Sequence, residues 1–364
     1  MYHNNDNISS SQLRNIIILT IVGSGVLTLP RELVEEVGTD GWLLLILGAL
    51  ASMVITFLHG YIVRAFPKKS YFEILSITLT KPVAYLVFIV FFVYLIGISG
   101  FIVRIFGEVV KMFLLPRTPI EVIIITILGV VAYSTRKGVE PLGRIAEILL
   151  PIVIVLALVL FTLTFANADL GRLLPAMRTP PMDFIRSIPS VFFTFAGYEL
   201  LLIFAFFLNK REDSVKIGSQ AILVVLVFYM VLNFSVLSNF GAYQIQHLVW
   251  PTISVFKAIE FPGAFIENVE VLVMAIWVFA IFTTLVPLYL GGTITLSNMF
   301  KVREHNYFVL PLLPIVYFMS LFSDNLPQVY EQLGLFSRYT VYTVSLVTPI
   351  LVLLSMKIRR LGKG

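Results

Sequence analysis

About ten runs of apolar residues follow one another along this chain, at 12–37, 41–64, 82–114, 120–135, 144–166, 184–208, 216–241, 265–298, 307–323 and 335–357. A bilayer crossing needs roughly 20 apolar residues at a helical rise of about 1.5 Å each. The fourth and ninth runs are short, and the third and eighth are long enough to tilt. With 58% of residues apolar and 13% charged, against about a quarter charged in soluble domains, the chain cannot cover its surface with charge. It reads as an all-α integral membrane protein.

The same sequence excludes several functions. Cysteine is absent and the four histidines are scattered, so neither a disulfide framework nor a thiolate or HExxH-type metal site is expected. No polar stretch between the runs is long enough for a soluble catalytic domain. No enzyme activity and no cofactor are expected. The polar start "MYHNNDNISSSQLR" has no basic n-region and reads as a tail, not a signal peptide.

The formal charge of +5 is explained by its placement. Arg64, Lys68, Lys69, Lys81, Arg136, Lys137, Arg144, Lys210, Arg211, Lys216, Lys301, Arg303, Lys357, Arg359, Arg360 and Lys363 fall between alternate runs. The intervening loops hold "EEVGTD", "LLPAMRTPPMD" and "SDNLPQ". By the positive-inside rule the basic side is cytoplasmic, both termini lie there, and nucleic acid need not be invoked. Residues 167–183 are too proline-rich to be helical. Residues 242–264 suit either a short helix along the outer interface or a plain connector.

The first run is interrupted. In "IVGSGVLTLP", Gly23, Ser24 and Gly25 leave helical geometry cheaply, and Pro30 supplies no N–H for the residue 26 carbonyl. A kink or a packing glycine would explain such residues equally well. The sixth run repeats the feature: "SIPSVFFTFAGYELLLIFAFFLN" places Ala196–Gly197 at its centre with Glu199 close behind. The spacing between the interruptions carries the second run onto the seventh and the third onto the eighth. Two five-helix units follow, 12–166 and 184–357, flanked by tails 1–11 and 358–364; since five is odd, the units are inverted. Paired interruptions in inverted repeats point to a ligand site near the bilayer midplane. The N-terminal end of a half-helix offers N–H groups to a carboxylate, and the preceding end offers carbonyls to an ammonium group. An amino acid matches both, with Ser24, Thr28 and Thr194 adding hydroxyls.

Together, "VGSGVLTLP", "FTFAGYE", ten runs and the basic inner loops resemble the amino acid–polyamine–organocation transporter superfamily, and more narrowly its spore-permease branch, the B subunits of spore germinant receptors. The resemblance covers essentially the whole chain. It implies a LeuT-like 5+5 inverted repeat with helices 1 and 6 broken, and a site at Gly23, Ser24, Gly25 and Val26 in the first break and Phe195, Ala196, Gly197 and Tyr198 in the sixth, lined also by the third and eighth spans. It further implies residence in the spore inner membrane with an A subunit and a lipoprotein C subunit, where binding of a small nutrient starts germination. Gly97 and Gly100 in "LIGISGFIVR" suit close helix approach.

Polar residues inside the runs complete the expectations. Glu199 lies near mid-depth, where an ionisable group marks a pathway or ligand site or is a buried carboxyl paired for packing. Arg104 and Glu108, spaced i, i+4, form either a structural pair or an outer vestibule contact. Thr283 and Thr284 are hydroxyls a cation-coupling site would need. His59 and Glu147 fall near the inner headgroups, and Trp42, Tyr61 and Trp250 read as interfacial anchors. Three functions remain open: a sensor of a small nutrient, a proton-coupled amino acid permease using Glu199, and a structural membrane partner.

Overall fold

The computed structural model describes residues 6–67, 69–257 and 269–361. Lys68 and Lys363, the last part of the 242–264 connection, the start of the eighth run and the side chain of Ser24 lie outside the described residues. The helices are α1 Ser10–Gly25, α2 Leu29–Val37, α3 Gly41–Ala65, α4 Tyr71–Thr78, α5 Lys81–Phe113, α6 Ile120–Thr135, α7 Val139–Thr164, α8 Pro181–Thr194, α9 Leu200–Phe204, α10 Ser214–Ile245, α11 Pro251–Lys257, α12 Val269–Phe300, α13 Asn306–Ser320, α14 Leu326–Tyr342 and α15 Thr348–Arg359. An isolated parallel bridge joins Ile8 to Leu208.

By length and composition, six stretches among the described residues can cross a bilayer, and α6 and α13 are shorter apolar helices. The first and sixth expected crossings correspond instead to the interrupted pairs α1/α2 and α8/α9. α3 begins as far beyond Ser24 as α10 begins beyond Gly197, and these two long helices pack on each other, as do α5 and α12.

α1 lies inside the bundle, against α7, α10 and α12, with Leu13, Ile16, Ile17, Leu19, Ile21 and Val22 all buried. Its first turn is closed by a capping box: Ser9 Oγ accepts from Gln12 N at 3.1 Å and Gln12 Oε1 from Ser9 N at 2.9 Å. Lipid tails are as apolar as leucine, so lateral packing depends on shape and polar ties more than on the hydrophobic effect. Shape complementarity is tight here. A Cβ on Gly60 of α3 would lie 2.8 Å from the Val215 backbone of α10, and one on Gly23 would lie 2.0 Å from Thr284 Oγ1 of α12.

The first interruption differs from its expected position. α1 continues through Gly23 to Gly25, and residues 26–28 form the turn before α2. Gly23 stays helical where α1 presses on α12. The helix gives way just beyond, where Pro30 deprives the Val26 carbonyl of its partner. Thr28 N donates to Gly25 O at 3.3 Å, and Arg31 and Glu32 take the Thr28 carbonyl. The second interruption spans residues 195–199, with Gly197 at φ +126°. α9 is only five residues long and tightens into the 3₁₀ turn Ala205–Phe207.

The connections also depart from expectation. The 167–183 segment contains the 3₁₀ turn Leu170–Leu173, and its later part is gathered by Asp40. That buried carboxylate accepts from the backbone N–H groups of Met177 (2.6 Å), Arg178 (3.0 Å) and Thr179 (3.0 Å) and from the Thr179 hydroxyl (2.8 Å). The short helix expected over 242–264 is α11, whose Ile253, Val255 and Phe256 are buried against the bundle. Trp250, expected as an anchor, is buried too, and its Nε1 donates to Tyr330 Oη at 2.9 Å. His59, expected at the headgroups, is fully buried with Nε2 2.9 Å from the Ser345 carbonyl, within the π-helical turn Thr343–Val347.

Candidate functional site

Between the two interruptions lies a cavity of about 60 Å³. One water occupies about 10–15 Å³ of such space, so it admits a small ligand or several waters. α1, α2 and the turn between them contribute Thr20, Gly25, Thr28 and Glu32. The end of α8 contributes Phe193 and Thr194, and the second interruption Ala196 and Gly197. α5 supplies Tyr94, Ile98, Ile102 and Ile105, and α12 supplies Thr284 and Leu288. α14 closes the wall with Tyr330 and Leu333. The pattern is a hydroxyl-studded rim on an apolar wall, which suits a small polar ligand.

A larger space of about 460 Å³ adjoins it and shares Glu32, Phe193, Tyr330 and Leu333 as a common wall. This vestibule is lined by Arg31, Glu35 and Glu36 of α2, Arg186 and Ser190 of α8, and Arg338 and Tyr342 of α14. Ser187 Oγ donates to Glu36 at 2.6 Å, tying α8 to α2. Arg31 lies 3.5 Å from Glu35 and 5.9 Å from the centre of the Tyr330 ring.

The expected site residues separate into two groups. Gly25, Thr28, Thr194, Ala196, Gly197 and Thr284 line the cavity; Gly23, Val26, Phe195, Tyr198, Glu199, Gly97, Gly100, Arg104, Glu108 and Thr283 do not. Gly23 is pressed against α12. Phe195 and Tyr198 are fully buried, packed on Tyr229 and on His59 and Phe192. Gly97 and Gly100 face Phe336 and Met319, where a Cβ would meet them at 2.3 Å and 2.9 Å, so they serve helix contact. Arg104 Nε reaches Glu108 Oε1 at 2.9 Å, and its Nη1 donates to the Ser320 carbonyl at 3.3 Å, at the C-terminal end of α13. A cation there complements the carbonyl end of a helix.

Glu199 is fully buried, one layer behind the cavity wall. Tyr94 Oη donates to one carboxylate oxygen, and the other accepts the Gly197 N–H at 2.8 Å. The side chain therefore holds the second interruption in shape. Carbonyls of α1 and of the first interruption are engaged in part from within. Thr284 Oγ1 is 3.1 Å from the carbonyls of Leu19, Thr20 and Ala280 and shares its single O–H among them, occupying the space a cation would need there. Tyr229 Oη donates to Ile21 O at 2.9 Å, and Thr252 Oγ1 to Val26 O at 2.6 Å. Thr283 Oγ1 is turned back to Ala280 O at 2.8 Å.

Sequence reasoning missed Glu32, Tyr94 and Tyr330. Glu32 had a legible signal: it lies one helical turn beyond Thr28, on the same face, directly after the interruption. Tyr94 and Tyr330 had none, because a tyrosine in an apolar span looks the same whether it faces lipid or a cavity.

Residues 7–329 match the spore permease family, described as "Spore germination protein". The chain is 27% identical to "Spore germination protein YndE" of Bacillus subtilis (strain 168) over the full length of both. It is 30% identical to "Spore germination protein A2" of the same organism over 86% of each chain. Among solved structures it resembles MhsT in complex with L-phenylalanine, with a TM-score of 0.72 at 14% identity, covering 96% of this chain and 89% of that one. It also resembles Mhp1, a nucleobase-cation-symport-1 family transporter, with a TM-score of 0.68 at 12% identity over 97% of this chain and 79% of the other. These similarities establish an all-α, LeuT-like transporter fold. The protein belongs to the spore permease family of spore germination proteins.

Proposed function

We propose that this chain is the ligand-sensing B subunit of a spore nutrient germinant receptor. It resides in the spore inner membrane with both termini cytoplasmic, beside an A subunit and a lipoprotein C subunit. A small nutrient, an amino acid, binds between the two helix interruptions, biases the bundle toward one of two arrangements, and so triggers germination. The observation that carries this reading is the cavity itself, whose wall is built from both interruptions and from α5, α12 and α14. L-phenylalanine bound to MhsT, a protein of the same fold, supports an amino acid as ligand class. Switching a two-state equilibrium from about 1:99 to 99:1 requires roughly 10⁴-fold tighter binding to one state. A sensor can spend its differential affinity on that switch without completing a transport cycle.

The competing reading is a proton-coupled amino acid permease with Glu199 as carrier. Its carboxylate is committed to Tyr94 and to the Gly197 N–H and does not line the cavity, which favours the sensor. Reconstituted in liposomes, the chain is expected to bind a radiolabelled amino acid saturably without accumulating it when a pH gradient is imposed. Accumulation that collapses with the gradient overturns the sensor and installs the permease.

A further inference from the structure

We propose that the cavity selects a ligand by its positive charge, an ammonium or amine group, and that the Glu32 carboxylate is the counter-ion. This rests on the reading of the cavity as the ligand site.

Glu32 is the one acidic or basic residue in the cavity wall among the described residues. No lysine, arginine or histidine nitrogen lies within 4 Å of its carboxylate among those residues. Its chain neighbour Arg31 is 3.5 Å from Glu35 and lines the vestibule, not the cavity. Apart from the shared Glu32, the vestibule carries three arginines and two glutamates, so its own lining does not select cations. Selection by charge falls to the inner chamber. A carboxylate partly withdrawn from water, as Glu32 is, gains from an opposite charge that enters with its own hydrogen-bond donors.

The groups that would otherwise recognise a ligand at helix interruptions are already engaged. A carboxylate-bearing ligand would seek the N-terminal end of α2, but Glu32 sits in the first turn of that helix and offsets its partial positive charge. At the second interruption the Gly197 N–H is held by Glu199. An ammonium group would seek backbone carbonyls, yet Ile21 O accepts from Tyr229 and Val26 O from Thr252, and the single Thr284 O–H is shared among Leu19 O, Thr20 O and Ala280 O. With these backbone groups engaged, Glu32 is the charged side chain of the cavity wall, and it reads a cation. Uncharged sugars and nucleosides bring O–H and N–H donors but no opposite charge, and carboxylic acids lacking an amine are repelled.

The test uses the purified full-length chain in detergent micelles and thermal-shift titration. The compounds are L-alanine, L-valine and L-phenylalanine; the matching amines ethylamine, isobutylamine and phenethylamine; the matching acids propionate, isovalerate and 3-phenylpropionate; and D-glucose and inosine. Stabilisation by at least one amino acid or amine, and by none of the acids or neutral compounds, is expected. Glu32→Gln is expected to weaken that binding roughly thirtyfold or more, the range for truncating one side of a buried charge pair, and Glu32→Asp to retain part of it. Glu35→Gln serves as the control in the vestibule, and an unchanged size-exclusion profile certifies each variant as folded. Binding of an acid as tight as that of its amino acid, or unchanged affinity in a folded Glu32→Gln, overturns the inference and leaves the cavity reading standing. Binding by glucose or inosine alone does the same. No stabilisation by any compound overturns the cavity reading with it.

Discussion

Tyr94 on α5 donates its phenolic hydrogen to Glu199, whose second carboxylate oxygen accepts the Gly197 N–H at 2.8 Å. One side chain of the first half of the molecule thereby fixes the backbone of the second interruption. Removing one partner of a buried hydrogen bond costs the desolvation of the group left bare, about 1–3 kcal/mol and more for a charged one. Tyr94→Phe is therefore expected to destabilise the protein by at least about 2 kcal/mol, read as loss of thermal stability in detergent. Glu199→Gln keeps an acceptor for Gly197 and should cost less. The double variant is expected to lose less than the two single losses added together; strict additivity would show that the two groups do not act as one unit.

The contact between α1 and α12 makes a sharper forecast. A Cβ at Gly23 would stand 2.0 Å from Thr284 Oγ1 and 2.5 Å from the Ala280 carbonyl oxygen. Gly23→Ala should lower stability by about 1–3 kcal/mol or more through overpacking, with a reduced yield of monodisperse protein. Thr284→Ala should not rescue it, because the Ala280 carbonyl is backbone and stays in place.

Gly197 tests conformation instead of space. At φ +126° an alanine is strained whatever surrounds it, a penalty on the order of 1–3 kcal/mol. Gly197→Ala should lower the melting temperature and impair ligand binding together. Gly129→Ala and Gly334→Ala, where an added Cβ meets nothing within 4 Å, should be near neutral in the same assay. Equal losses at all three positions would refute the conformational account.

Asp40 holds the segment around Met177–Thr179 through three backbone N–H groups and a hydroxyl. An amide has a single acceptor oxygen where the carboxylate has two, so Asp40→Asn leaves part of this set unanswered. Faster tryptic cleavage after Arg178 is expected in the variant, with the helical circular dichroism unchanged. Cleavage at the wild-type rate would mean that other contacts hold the segment.

Permeation belongs with these tests, since Glu199 has been given a structural task. If Glu199→Gln reduces thermal stability while leaving amino acid binding within about threefold, the residue positions the interruption. A selective loss of proton-driven uptake with full stability would restore it as a carrier.

The apolar runs, the all-α class and the two interruptions were legible in the sequence because each is a local property. Twenty apolar residues cross a bilayer wherever they lie, and Pro30 withholds its N–H from the Val26 carbonyl in any surrounding. The same reasoning placed the first interruption a few residues early, at Gly23–Gly25 instead of 26–28. Gly23 lies within α1 where that helix closely approaches Ala280 and Thr284, which are distant in sequence. Rotation and partnership were decided by the tertiary structure alone. Hydropathy gives the depth of a residue but not the direction it faces, and in lipid the facing is set by shape and by polar ties between remote spans. That is why His59 and Trp250 proved to be interior residues, why Glu199 bonds to Tyr94 behind the cavity wall, and why Glu32, Thr28 and Tyr330 meet around one chamber.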